Sequence, residues 1–123
     1  MKYLILIYSN PASREIWEGF SEDQRAAGYR YYAALTEELA ASGELIASEA
    51  LADSSRTRRV SVRDGRTLTS DGPFAEAKEL LAGFFLLECE SMERAVEVAA
   101  RVPEAELDLV EVRPVLGLGA AGR

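Results

Sequence analysis

Residues 69–79, with the sequence TSDGPFAEAKE, form the segment around which the rest of the chain is organised; we call it the signature segment. Its Asp71-Gly72-Pro73 run cannot continue a strand, because Gly72 permits a positive φ and Pro73 fixes its own φ. Pro73 also suits the first turn of a helix, and Asp71 could cap that turn. The sequence therefore predicts a bend at Asp71, then one or two helical turns over residues 75–81, just before an apolar strand.

A β-hairpin leads into the signature segment. Residues 56–63 read as one strand, Asp64-Gly65 is a strong signal for a two-residue turn, and residues 66–70 return as the partner strand. The hairpin carries a cluster of arginines, which are Arg56, Arg58, Arg59, Arg63 and Arg66. This cluster fits either a solvated face of the hairpin or an anion-binding rim, and the sequence leaves both interpretations open.

The remaining pattern is that of an α+β fold. Capping and turn residues delimit two long helices, over residues 21–42 and 92–102. A shorter helix is indicated over residues 13–20. Apolar runs predict strands over residues 2–8, 44–51, 83–90 and 107–115. Without the hairpin, the order is βαββαβ, which is the ferredoxin-like arrangement.

Two of these strands predict an assembly. Residues 2–8 and 83–90 are apolar on both sides, which is typical of strands covered on both faces of a sheet. The helices of a ferredoxin-like unit cover only one face. We therefore expect a homodimer closed sheet to sheet, in the manner of a dimeric α/β barrel.

The signature segment resembles the signature of the DGPF group of YCII-related proteins. Three other stretches agree with this resemblance: MKYLILIY at residues 1–8, RDGR at residues 63–66 and VEVRP at residues 110–114. The resemblance spans roughly residues 1–115 and implies a dimeric ferredoxin-like fold with no established reaction. A His-Asp pair has been proposed as an active site in the wider family, but this chain contains no histidine.

Length, composition and charge bound the remaining choices. The 123 residues predict a single domain over residues 1–116 and a flexible C-terminal tail over residues 117–123. The apolar runs are too short for a membrane span or a secretory signal, so we expect a cytoplasmic protein. The net charge of −7 argues against a nucleic-acid partner. A lone Cys89 and the absence of metal-ligand spacing predict neither a disulfide, nor a metal site, nor a cofactor.

Three charged residues of the signature segment are the catalytic candidates, namely Asp71, Lys78 and Glu79. A carboxylate near a second carboxylate could act as a general base, while a lysine holds an anionic group. The alternative is structural: Asp71 caps a turn, and Lys78 pairs with a neighbouring glutamate. Four further residues are candidates for ligand binding, namely Tyr8, Tyr29, Phe74 and Arg113. Phe74 is expected to anchor the segment in the core.

Three functions remain open at this point. The first is cofactor-independent acid–base chemistry on a small organic acid or carbonyl compound. The second is a non-catalytic dimer that binds a small ligand or regulates, and the resemblance links it to sigma-factor-dependent transcription. The third is a structural adaptor without a pocket. Fold analogy alone is a weak argument for any of them.

Overall fold

The computed structural model describes residues 1–117. The predicted tail, residues 117–123, therefore lies outside the described residues apart from Gly117. The helices and strands follow in the order β1 (Lys2–Ser9), α1 (Pro11–Glu18), α2 (Glu22–Ala41), β2 (Leu45–Ala50), β3 (Arg58–Arg63), β4 (Arg66–Asp71), β5 (Leu80–Glu88), α3 (Met92–Ala99) and β6 (Val110–Pro114). Short 3₁₀ turns lie at Ser54–Arg56 and Pro103–Leu107.

Four strands form the main sheet, in the spatial order β2-β5-β1-β6, with every neighbouring pair antiparallel. The two central strands, β1 and β5, are the apolar runs of the sequence. When β3 and β4 are set aside, the chain is the predicted βαββαβ unit, and the ferredoxin-like α+β fold is confirmed.

One face of the sheet packs against the helices and forms the core. Tyr3, Ile5 and Ile7 alternate along β1 and are buried, because successive strand residues point to opposite faces. They meet Leu35 and Leu39, which lie four residues apart on α2 and are 2% and 1% exposed. Full burial of such side chains stabilises the fold by about 1.5–3 kcal/mol each.

The alternate side chains of the two central strands form a second apolar surface, which we call the open face. It consists of Leu4 and Leu6 on β1 and of Phe84 and Leu86 on β5. These residues are only partly buried in the single chain, unlike those on the helix-facing side. The sheet therefore has one fully covered side and one that solvent still reaches.

The predicted hairpin is present as a separate two-stranded sheet, β3 with β4, which we call the arm (residues 58–71). Asp64 and Gly65 form its two-residue turn with φ values of 51° and 75°. This left-handed conformation is the one that the Asp-Gly dipeptide favours. The arm leaves the main sheet after β2 and returns to it at β5, so it projects from one end of that sheet.

The helical turns predicted over residues 75–81 are wrong. One turn-like hydrogen bond forms, from the Ala77 amide to the Phe74 carbonyl at 3.1 Å, and β5 already begins at Leu80. Too few residues separate Pro73 from β5 to repay the cost of helix nucleation. The bend itself is confirmed: Gly72 has φ 88°, and its amide donates to the Thr57 carbonyl at 2.7 Å.

Candidate functional site

A polar cavity of about 170 Å³ lies where β1 ends and β6 begins; we call it the Tyr8 cavity. Its walls are Tyr8, Glu79, Asp108, Leu109 and Glu111. The backbone holds the two strands together here, since the Tyr8 amide donates to the Leu109 carbonyl at 2.9 Å. Strand ends expose polar groups that the sheet interior excludes, so this is a suitable position for a site.

The cavity opens on the side of the sheet that carries the open face. Tyr8 follows Leu4 and Leu6 at alternate positions of β1, and Glu111 lies directly opposite Leu6 in the sheet register. Side chains at such positions share one face of a sheet. The cavity is therefore continuous with the partly covered apolar surface.

The Tyr8 hydroxyl is the group whose chemistry this environment changes. Burial raises the pKa of Tyr8, and its interaction with the Glu111 carboxylate raises that pKa further, while the positive charge of Arg113 opposes the change. A tyrosine hydroxyl is protonated at neutral pH even without this change, and the raised pKa extends the pH range over which Tyr8 keeps its proton. It can donate a hydrogen bond, and Glu111 supplies an adjacent acceptor.

Three carboxylates line the cavity together with Tyr8. Glu79 is the last residue of the signature segment, Asp108 follows the 3₁₀ turn Pro103–Leu107 with φ 59°, and Glu111 belongs to β6. Within residues 1–117, none of the three takes part in an ion pair. The cavity therefore repels anions and favours groups that donate hydrogen bonds.

The three catalytic candidates do not converge on this cavity. Glu79 lines it, whereas Asp71 ends β4, with a side chain that is 91% exposed and 3.7 Å from the Arg58 Nε. Lys78 is exposed and is not among the cavity's lining residues. The Asp71–Arg58 pair is exposed, and such pairs contribute little to stability. It is neither the turn cap nor the lysine–glutamate pair of the structural alternative.

The ligand-binding candidates are also separated. Tyr8 lines the cavity, and Arg113 lies close enough to influence its pKa. Tyr29 is 67% exposed on α2, where its ring meets Trp17 edge to face at 5.4 Å. Phe74 is 68% exposed, and the Arg59 guanidinium lies 5.7 Å from its ring centre. The expectation that Phe74 anchors the segment in the core is therefore wrong, because the bend turns this side chain outward.

Two polar residues that line the cavity were not among the candidates predicted from the sequence. Glu111 was detectable in principle, because it alternates with the apolar Val110 and Val112 near a strand end. Asp108 carries no clear sequence signal; its left-handed backbone, which is uncommon for a residue other than glycine, becomes visible only in the structure.

A larger groove of about 370 Å³ between α3 and β6 is lined by apolar side chains, including Met92, Val96 and Val112. Over residues 1–117, no three or more carboxylates or thiols are grouped so that they could hold a metal ion. No helix in that range has both the length and the apolar character needed to span a bilayer.

Comparison with known proteins agrees with the resemblance to YCII-related proteins. The family model described as the YCII-related domain matches residues 1–118. The chain is also 31% identical, over 117 residues, to an uncharacterised protein of Rhizobium meliloti (strain 1021). That alignment covers 94% of this chain and 92% of the relative. The chain belongs to the YCII-related family.

Proposed function

We propose that this chain belongs to the DGPF group of its family and acts in the cytoplasm as a homodimer that binds a small polar molecule in the Tyr8 cavity. The Asp71-Gly72-Pro73-Phe74 string supports the group assignment. The single observation that carries the proposed function is that a tyrosine hydroxyl and a carboxylate, those of Tyr8 and Glu111, line one cavity.

The open face supports the homodimer. Leu4, Leu6, Phe84 and Leu86 form a contiguous apolar surface in the middle of the sheet, and such surfaces mark interaction sites. A second copy of the same surface is a matching cover, because isologous contacts pair a patch with itself. The Tyr8 cavity of about 170 Å³ is smaller than the roughly 300–1,000 Å³ of most ligand pockets. Closure by a second sheet would enlarge and enclose it.

The groups in the cavity suit acid–base chemistry without a cofactor. Tyr8 would donate a hydrogen bond to a substrate carbonyl oxygen, and Glu111 would accept a proton from the adjacent carbon or hydroxyl. Glu79 and Asp108 disfavour a substrate with a net negative charge. A neutral carbonyl compound that carries hydroxyl or amino groups therefore fits better than an organic acid.

Non-catalytic ligand binding is the second candidate. It is favoured by the exposed positions of Asp71 and Lys78, neither of which lines the cavity. The cavity therefore has no lysine to hold an anionic group of a substrate. In this case the dimer would sense a metabolite, and the DGPF resemblance suggests a regulatory role in sigma-factor-dependent transcription. The proton-transfer groups would then serve only to recognise the ligand.

A screen of small neutral carbonyl compounds tests the proposal. Compounds that raise the melting temperature of the protein are incubated with it and followed by proton NMR. We expect the apparent affinity for such a compound to fall at least tenfold in Tyr8→Phe, which removes the hydroxyl, and in Glu111→Gln, which replaces the charged acceptor with a neutral amide. Tyr29→Phe is the matched control, since Tyr29 lies outside the cavity and is 67% exposed.

The NMR spectra distinguish the two candidate functions. Conversion of the compound that is lost in Glu111→Gln supports catalysis, whereas recovery of the unchanged compound supports binding alone. Equal responses of the wild type, Tyr8→Phe and Glu111→Gln to every compound would refute a functional role of this cavity.

A further inference from the structure

The arm is a regular two-stranded hairpin, but few other residues of the chain pack against it. Both of its strands are exposed over nearly their whole length, and Val60 and Val62 are each 66% exposed on the same face. A two-stranded hairpin alone in water is marginally stable at best. The valine face therefore needs a cover that a single chain does not supply within the described residues.

The charges of the arm indicate what that cover is. Residues 58–71 contain four arginines and two aspartates, which gives the arm a net charge of +2. Because the whole chain has a net charge of −7, the residues outside the arm carry −9. Arg63 and Arg66 are direct cross-strand partners next to the turn. Like charges directly opposite each other destabilise a hairpin, and the single carboxylate of the turn, that of Asp64, leaves a net positive charge at this tip. The arm is therefore complementary to the acidic remainder of its own sequence.

We infer that the arm of one subunit packs across a second copy of this chain, with Val60 and Val62 against its surface and the arginine-rich tip against its carboxylates. This inference rests on the proposed homodimer. The arm contact would be a second contact between the subunits, in addition to the one between their open faces. Six-residue strands give the arm a reach of about 20 Å, which is comparable to the length of the main sheet. Glu111 lies on the face that the dimer would cover, because it is directly opposite Leu6, and Glu79 and Asp108 line the cavity beside it. This region therefore presents negative charge to the arginines of the arm.

The net charge also decides against a nucleic acid as the partner of the arm. A nucleic-acid site needs a basic surface that is not overwhelmed by the charge of the rest of the protein. Here the net charge of −9 on the residues outside the arm would repel a phosphate backbone that approached the arm. A second copy offers the same arginines a surface of the opposite sign.

Zero-length cross-linking tests the contact directly. Arg63→Lys places a primary amine on an arm that has no lysine of its own, and a carbodiimide then couples that amine to carboxylates in contact with it. The variant is mixed with its ¹⁵N-labelled form and allowed to exchange subunits, so that mass spectrometry separates cross-links between chains from those within a chain. Arg30→Lys is the matched control, because Arg30 is exposed on α2 and outside the arm.

We expect mixed-isotope cross-links from position 63 to carboxylates outside residues 58–71, and none at a comparable level from position 30. In parallel, Arg63→Glu should weaken the dimer roughly tenfold more than Arg30→Glu, which changes the net charge equally. A dimeric protein with cross-links only within one chain overturns the arm contact but leaves the open-face dimer intact. A protein that stays monomeric overturns both. Oligonucleotide binding lost in Arg63→Glu, with the dimer unchanged, assigns the arm to nucleic acid and also overturns the inference.

Discussion

Glu44 and Arg94 provide a quantitative test of how the helices are fixed to the sheet. Arg94 of α3 donates two hydrogen bonds to the Glu44 carboxylate, from Nε to Oε2 at 2.9 Å and from Nη2 to Oε1 at 2.8 Å. The Ser42 hydroxyl donates a third, at 2.8 Å. These contacts join the start of α3 to the turn between α2 and β2. We predict that Glu44→Gln destabilises the protein in a pH-dependent manner.

The magnitude follows from the carboxylate. The guanidinium of Arg94 lowers the pKa of Glu44 from 4.5 to about 2. At about 1.36 kcal/mol per pKa unit, that difference corresponds to about 3 kcal/mol. The Glu44 and Arg94 side chains remain 17% and 30% exposed, and solvent screening reduces the expected loss to about 1–2 kcal/mol. A lowered folded-state pKa stabilises the protein above pH 4.5, and this contribution disappears as the pH falls toward 2.

Urea unfolding of the wild type and Glu44→Gln, at one protein concentration and at pH 7, 5, 4 and 3, measures this difference. We expect the full difference at pH 7 and 5 and a progressively smaller one at pH 4 and 3. Glu97→Gln is the control, because Glu97 contacts Arg94 at 3.2 Å but is 68% exposed, and it should cost less than about 0.5 kcal/mol. A difference that stays constant over this range would refute the electrostatic argument.

Three other substitutions test the packing, each by urea unfolding at pH 7. Leu39→Ala should destabilise the protein by about 2–5 kcal/mol, because Leu39 is 1% exposed in the core; a loss below 1 kcal/mol would contradict its burial. Gly83→Ala should cost about 1–3 kcal/mol, since a Cβ there would lie 2.8 Å from the Glu49 carbonyl oxygen; wild-type stability would contradict that approach. Tyr32→Phe should cost about 1 kcal/mol, because the hydroxyl loses its bond to Glu104, and an unchanged midpoint would contradict it.

The parts of the fold that depend on local patterns could be predicted from the sequence. Ser21 and Gln24 form the expected capping box of α2, and Gly43 follows the helix with φ 81°. The Asp64-Gly65 turn is where the dipeptide indicates it. The alternation and capping signals are short in range, so the sequence contains all the information that they need.

The structure of the signature segment and the composition of the site could not be predicted in the same way. Pro73 suits a helix start, but the nearby start of β5 at Leu80 leaves no room for one, and strand pairing with Ser9 decides the outcome. The Tyr8 cavity joins residues 8, 79, 108 and 111, which are brought together only by the order of strands in the sheet. The clustering of charges within the signature segment therefore did not predict the composition of the site. Asp71 belongs to the arm, whereas Glu79 lies next to β5 of the main sheet.

We infer that a second copy of the chain covers the open face. Light scattering combined with size exclusion tests it most directly, on the wild type and on Leu86→Lys, which places a charge in the middle of that face. We predict a molar mass near 27 kDa for the wild type, which is twice the 13.5 kDa of one chain. We predict a folded monomer for Leu86→Lys. Val96→Lys, on the exposed side of α3, should remain a dimer. A monomeric wild type, or a Leu86→Lys variant that is as dimeric as the wild type, would contradict the claim.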